Sequence, residues 1–123
     1  MGKKKRDVLK FKSKLEKKAY QLIKEVFKNT LYPIKLHYYI PDIGLEVDIA
    51  IPNLMLAFEI QGEQHRDPDH FFHQNKRWGF QEQKDRDNYL REMLETNGWT
   101  LVELWEEDLE VEIVKEKIFS KFE

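Results

Sequence analysis

Two apolar runs, LEVDIAI at 45–51 and LMLAFEIQ at 54–61, have only Pro52 and Asn53 between them. Runs rich in branched and aromatic residues, joined by so little chain, fold back on each other as antiparallel strands. Side chains alternate along a strand, so Val47, Ile49 and Ile51 are expected on one face and Asp48 with Ala50 on the other. In the second run Leu56, Phe58 and Ile60 share a face, opposite Glu59 and Gln61. A turn centred between Asn53 and Leu54 sets Asp48 directly across from Glu59. Paired Cβ atoms lie about 5 Å apart, where two like charges destabilise a sheet. Such a pair is tolerated when one acid is protonated or a cation sits between them. Hard divalent ions such as magnesium take carboxylate oxygens, so the hairpin has the makings of half a metal site. Two acids pointing to solvent from an open face give the same pattern, and a one-residue slip removes the pairing. Both readings stand at this point.

The elements around the hairpin follow from local signals. Ser13 and Glu16 have the spacing of a capping box. They open a helix to about Lys28 with an apolar stripe of Leu15, Ala19, Leu22, Ile23, Val26 and Phe27. After Pro33, KLHYYI is expected as a strand and PDIG as a turn. Residues 66–80 are irregular and rich in His, Asp and Trp, the composition of a functional loop. A second helix runs from about Gln81 to Asn97 and stops at Gly98. WTLVELW is a fourth strand, and Asp108 is expected to cap a last helix to about Phe122. The order helix, three strands, helix, strand, helix predicts an α/β (α+β) fold, with a mixed central sheet flanked by helices.

At 123 residues, 41% of them hydrophobic, the chain has enough apolar material for one core. We expect a basic N-terminal arm over 1–12 and a single domain over 13–123. With no cysteine there is no disulfide, thiolate zinc site or thiol nucleophile. No run reaches the ~18 apolar residues of a membrane span, and the N-terminus lacks a signal-peptide core. The expected setting is reducing and cytoplasmic, with no membrane partner. The net charge of -2 hides a gradient: residues 1–28 hold eleven Lys or Arg against three acids, and 101–123 hold eight acids against three lysines. Lys3, Lys4, Lys5 and Arg6 suit contact with a polyanion, although a solvated chain start explains them equally.

Asp48, then Glu59-Ile60-Gln61, resembles the signature of the PD-(D/E)XK nuclease superfamily on its αβββαβ restriction-endonuclease-like core. The likeness is closer to the branch that includes very-short-patch-repair (Vsr) and phage homing-type endonucleases, and covers roughly 13–110. SKLEKKAYQLI resembles the first helix of that branch, VDIAIPNLMLAFEIQGEQH its central hairpin, and RDNYLREMLETNGW with LVELWEEDL its second helix and last strand. Each piece alone is short; the four in order make the resemblance specific.

The resemblance implies magnesium-dependent hydrolysis of DNA, with manganese as a substitute. Asp48, Glu59 and the Ile60 carbonyl would hold the metal, and Glu16, Gln61, His65 and Asp87 would complete the catalytic set. Gln61 departs from the signature, which has lysine there, and His65 is the natural residue to take over part of its task. A helix cap also explains Glu16, and an exposed helix pair explains Arg86 with Asp87. Lys76, Arg77 and Trp78 suit contact with phosphates and bases, or Trp78 anchors the loop. His70 and His73 with His65 lack a fourth ligand at convincing spacing for zinc. So short a chain leaves target choice to a homodimer, a separate specificity domain, or its own loop and arm. A non-catalytic nucleic-acid-binding module on the same fold, or an RNA- or junction-specific nuclease, remains the alternative.

Overall fold

The computed structural model describes residues 10–62 and 80–122. Helix α1 spans Lys14–Val26, and strands β1 (Lys35–Ile40), β2 (Leu45–Ile51) and β3 (Leu56–Gln61) follow it. Helix α2 (Phe80–Thr96), strand β4 (Thr100–Trp105) and helix α3 (Val111–Ser120) complete the described chain. The protein is α+β, with one four-stranded sheet in the order β1-β2-β3-β4. Neighbours β1, β2 and β3 are antiparallel, whereas β4 runs parallel to β3, as the helical crossover requires. Among the described residues no helix is long and apolar enough to cross a membrane.

Apolar side chains cover both faces of the sheet. On one, Ile49, Ile51, Leu56, Phe58, Val102 and Leu104 pack with Ala19 and Ile23 of α1 and with Val114 and Ile118 of α3. On the other, Ala50, Ala57 and Leu101 pack with Leu94 of α2. Phe11 joins the first core, its ring 5.4 Å from that of Tyr20, so the packed chain reaches back at least to this residue.

Several expectations need correction. Val47 does not share a face with Ile49 and Ile51, because it packs with Ala50 in the second core. β1 changes face at the same level: Leu36 packs with the first core, and Tyr38 and Ile40 with the second. The change occurs at His37, whose φ of 51° lies in the left-handed region that costs a side-chain-bearing residue strain. His37 and Asp48 are the one step missing from the β1–β2 register, between Leu36–Ile49 and Tyr38–Val47. The hairpin turn is longer than expected: Pro52–Leu54 forms a 3-10 turn, Met55 follows with φ 50°, and β3 begins at Leu56. Asp108 does not cap α3, whose N-cap is Glu110 with no side-chain bond. Its carboxylate instead accepts the Trp105 N–H (2.9 Å) and closes the 3-10 turn after β4.

Candidate functional site

The expected hairpin register is the observed one: Ile49 faces Phe58, Ala50 faces Ala57 and Ile51 faces Leu56. Backbone pairing ends there, one step before Asp48 and Glu59. Beyond it the two acids satisfy the opened strands themselves. The Asp48 N–H donates to Glu59 Oε2 (3.1 Å), and the Ile60 N–H donates to Asp48 Oδ2 (2.8 Å). An interior N–H must find a partner, so each acid is held by the backbone of the strand facing it.

Burial and proximity set the electrostatics. Loss of water around Glu59, with the charge of Asp48 beside it, pushes its carboxyl from 4.5 up to about 8. The Asp87 charge adds to the rise, and the bond from the Asp48 N–H and the charge of Lys12 oppose it. Burial likewise raises Asp48, against the pull of the Ile60 N–H; Glu16 raises it further, while Lys12 and His37 lower it. Two carboxyl groups so placed retain a proton or attract a cation. Asp48 Oδ1 and Glu59 Oε1 make no hydrogen bond to the described residues. Two such oxygens are the donor type of a hard divalent cation. Among the described residues no cluster of three or more His, Asp or Glu side chains forms a fuller cage.

The pair opens into a cavity of about 670 Å³ between the sheet and α2. Asp48, Glu59 and Ile60 form part of its wall, α2 contributes Asp85, Arg86 and Asp87, and Lys12 lies at the start of the described chain. The structure thus places Asp48, Glu59, Ile60 and Asp87 on the wall of one cavity.

Glu16 is placed differently. It is 3% exposed and lies outside the cavity wall. Its N–H donates to Ser13 Oγ (3.1 Å), which is half of a capping box. The reciprocal bond is replaced, since Glu16 Oε1 accepts the Lys12 N–H (2.7 Å) and Nε2 of His37 (2.8 Å). Glu16 therefore reaches the site through its field on Asp48 and through His37, a residue to which the sequence assigns no site role. The sequence held no signal for this beyond a histidine level with the acid across the β1–β2 ladder.

Gln61 is also turned aside. It is 5% exposed and donates from Nε2 to Glu103 Oε2 (3.1 Å), an oxygen that also accepts from Arg91 (2.8 Å). These residues border a second cavity of about 280 Å³, with Asp87 shared between the two. His65, Lys76, Arg77, Trp78, His70 and His73 lie outside the described residues, as do Lys3, Lys4, Lys5 and Arg6. No protein-family model, no curated protein and no solved structure matches this chain.

Proposed function

We propose that this protein is a metal-dependent endodeoxyribonuclease of the PD-(D/E)XK type, close to the Vsr-like branch. The observation that carries the reading is the meeting of Asp48 and Glu59 where the hairpin ladder opens, with Glu59 pushed up to about 8 in a cavity wide enough for a phosphodiester. An ordinary surface pair has no reason to be buried together, and a structural pair would be matched by a nearby cation in contact. The order of helices and strands and the mixed sheet agree with a nuclease core.

Asp48, Glu59 and the Ile60 carbonyl would hold magnesium or manganese. When bound, such an ion polarises a phosphoryl oxygen and makes water a stronger nucleophile at neutral pH. The chain's own residues do the rest. Asp87 adds negative charge to the cavity, which strengthens cation binding. His37 fixes Glu16, and the Glu16 charge acts on Asp48. His65 is assigned the proton transfer. In the hydrolysis the water oxygen bonds to phosphorus, the bond to the departing sugar oxygen breaks, and that oxygen ends protonated. DNA is the substrate, and a second copy or a separate domain supplies target choice.

One observation favours a second reading. Gln61 stands where the family resemblance expects lysine and is committed to Glu103, so a nucleic-acid-binding module without turnover is the rival. Incubation with supercoiled plasmid in magnesium, manganese or chelator separates the two. The nuclease reading expects nicked or linear product in either metal, none in chelator, and none from Asp48→Ala. Metal-independent DNA binding without product in either metal establishes the rival instead.

A further inference from the structure

The site as described has carboxylates but no cation from the strand that should supply one. We propose that Lys12 takes that place, its ammonium group binding a non-bridging oxygen of the phosphodiester above the Asp48–Glu59 pair. The inference rests on the nuclease reading and names a substrate-contacting residue that this reading leaves open.

The argument starts from where Lys12 sits. Its N–H is tied to Glu16 Oε1 (2.7 Å), and Glu16 is buried. That bond fixes the start of α1, and the side chain of Lys12 borders the same cavity as Asp48 and Glu59. Among the described residues its only charged contact, with Glu46 Oε2 at 3.6 Å, joins two side chains that are both about half exposed. Such a pair contributes about 0–1 kcal/mol, so an incoming phosphate displaces it easily.

Two cations border this cavity among the described residues, Lys12 and Arg86. Lys12 shares the cavity wall with Asp48 and Glu59 and sits at the tethered start of α1, so a phosphate entering the cavity comes within reach of its ammonium group. Lysine binds phosphate as a compact point charge, which needs nearness rather than a fixed fork of donors. Gln61 is neutral and gives an amide N–H to Glu103, so it cannot supply this charge. Lys12 makes no covalent bond; it offsets the charge that builds on the phosphoryl oxygens as water attacks.

The test compares Lys12→Met, Lys12→Arg and Lys14→Met, an exposed neighbour outside the cavity wall. The tether to Glu16 is a main-chain bond and survives all three. Single-turnover cleavage of plasmid in magnesium and binding of a duplex oligonucleotide in chelator are measured across a salt series. Removing one such electrostatic donor typically costs about 10²- to 10³-fold in rate. We expect at least the lower loss for Lys12→Met, partial recovery in Lys12→Arg, and parental rates for Lys14→Met. The salt slope of binding should fall by about 0.9, one phosphate, in Lys12→Met. Parental cleavage by Lys12→Met overturns the proposal, and so does an unchanged salt slope. If the parent itself never cleaves, the nuclease reading fails. The salt slope in chelator then still decides whether Lys12 meets a phosphate.

Discussion

Replacing Glu59 by glutamine should change how stability depends on pH, by an amount that follows from the site. Glutamine keeps an oxygen for the Asp48 N–H and loses the ability to ionise. In the native protein Glu59 gives up its proton near 8, whereas in the unfolded chain it does so near 4.5. Between these values the native state binds a proton that the unfolded state has released. Stability conferred by that proton is present below about 4.5 and declines as pH rises through about 8. At about 1.4 kcal/mol per pH unit, the ceiling on the loss is about 5 kcal/mol, comparable to the whole stability of many domains. Asp48, also raised, contributes in the same direction. Urea unfolding at pH 5 and pH 8, in chelator and at fixed salt, measures it. The parent should lose several kcal/mol across that interval, and Glu59→Gln should lose far less. Magnesium at pH 8 should restore stability to the parent more than to the variant. A parent whose stability is flat or rising from pH 5 to 8, or identical curves for both proteins, would refute the account of a buried, mutually repelling pair.

Three further outcomes are expected. His37→Ala should destabilise the fold by about 1–3 kcal/mol in urea melts, because it leaves the buried Glu16 carboxylate one donor short; a change under a few tenths would deny that role. Gln61→Lys should not raise the cleavage rate, since Glu103 would hold the new ammonium group as it now holds the amide; a faster enzyme on plasmid would show that the side chain reaches the phosphate. Replacing Lys3, Lys4, Lys5 and Arg6 together should weaken binding to unrelated duplexes equally and flatten the salt slope; loss of affinity for one sequence alone would assign the arm to base recognition instead.

The hairpin was legible because two local facts fix it. The short gap between the runs limits the turn, and strict alternation around Ile49, Ile51, Leu56 and Phe58 sets the register. A single residue hid the rest. His37 takes a left-handed backbone, and Val47 changes face with no mark in the hydrophobic pattern. The Gln61 contact is not legible for another reason: its partner Glu103 is 42 positions away, on a strand that becomes its neighbour only through the crossover. Lys12 was counted with the basic arm because charge alone cannot distinguish a lysine in solvent from one tethered to a buried acid. Asp108 misled in the opposite sense, having the right residue type for a helix cap while its carboxylate closes the turn one element earlier.

The parallel pairing of β3 with β4 has a consequence for how the site assembles. β1, β2 and β3 meet through short turns, whereas joining β4 to β3 closes a long loop that contains α2. Closing longer loops costs more chain entropy, so local pairings are expected to form first. Asp48 and Glu59 would then approach each other while water still surrounds the hairpin. At this stage their repulsion is weak, because a high dielectric screens it. The penalty arrives only when α2 and its acids dock over the sheet. Folding is therefore expected to be slowed by pH at its last step rather than its first. Pulse-labelled hydrogen exchange during refolding tests the order: Ala50 should be protected before Val102 at pH 8, and simultaneous protection would contradict it.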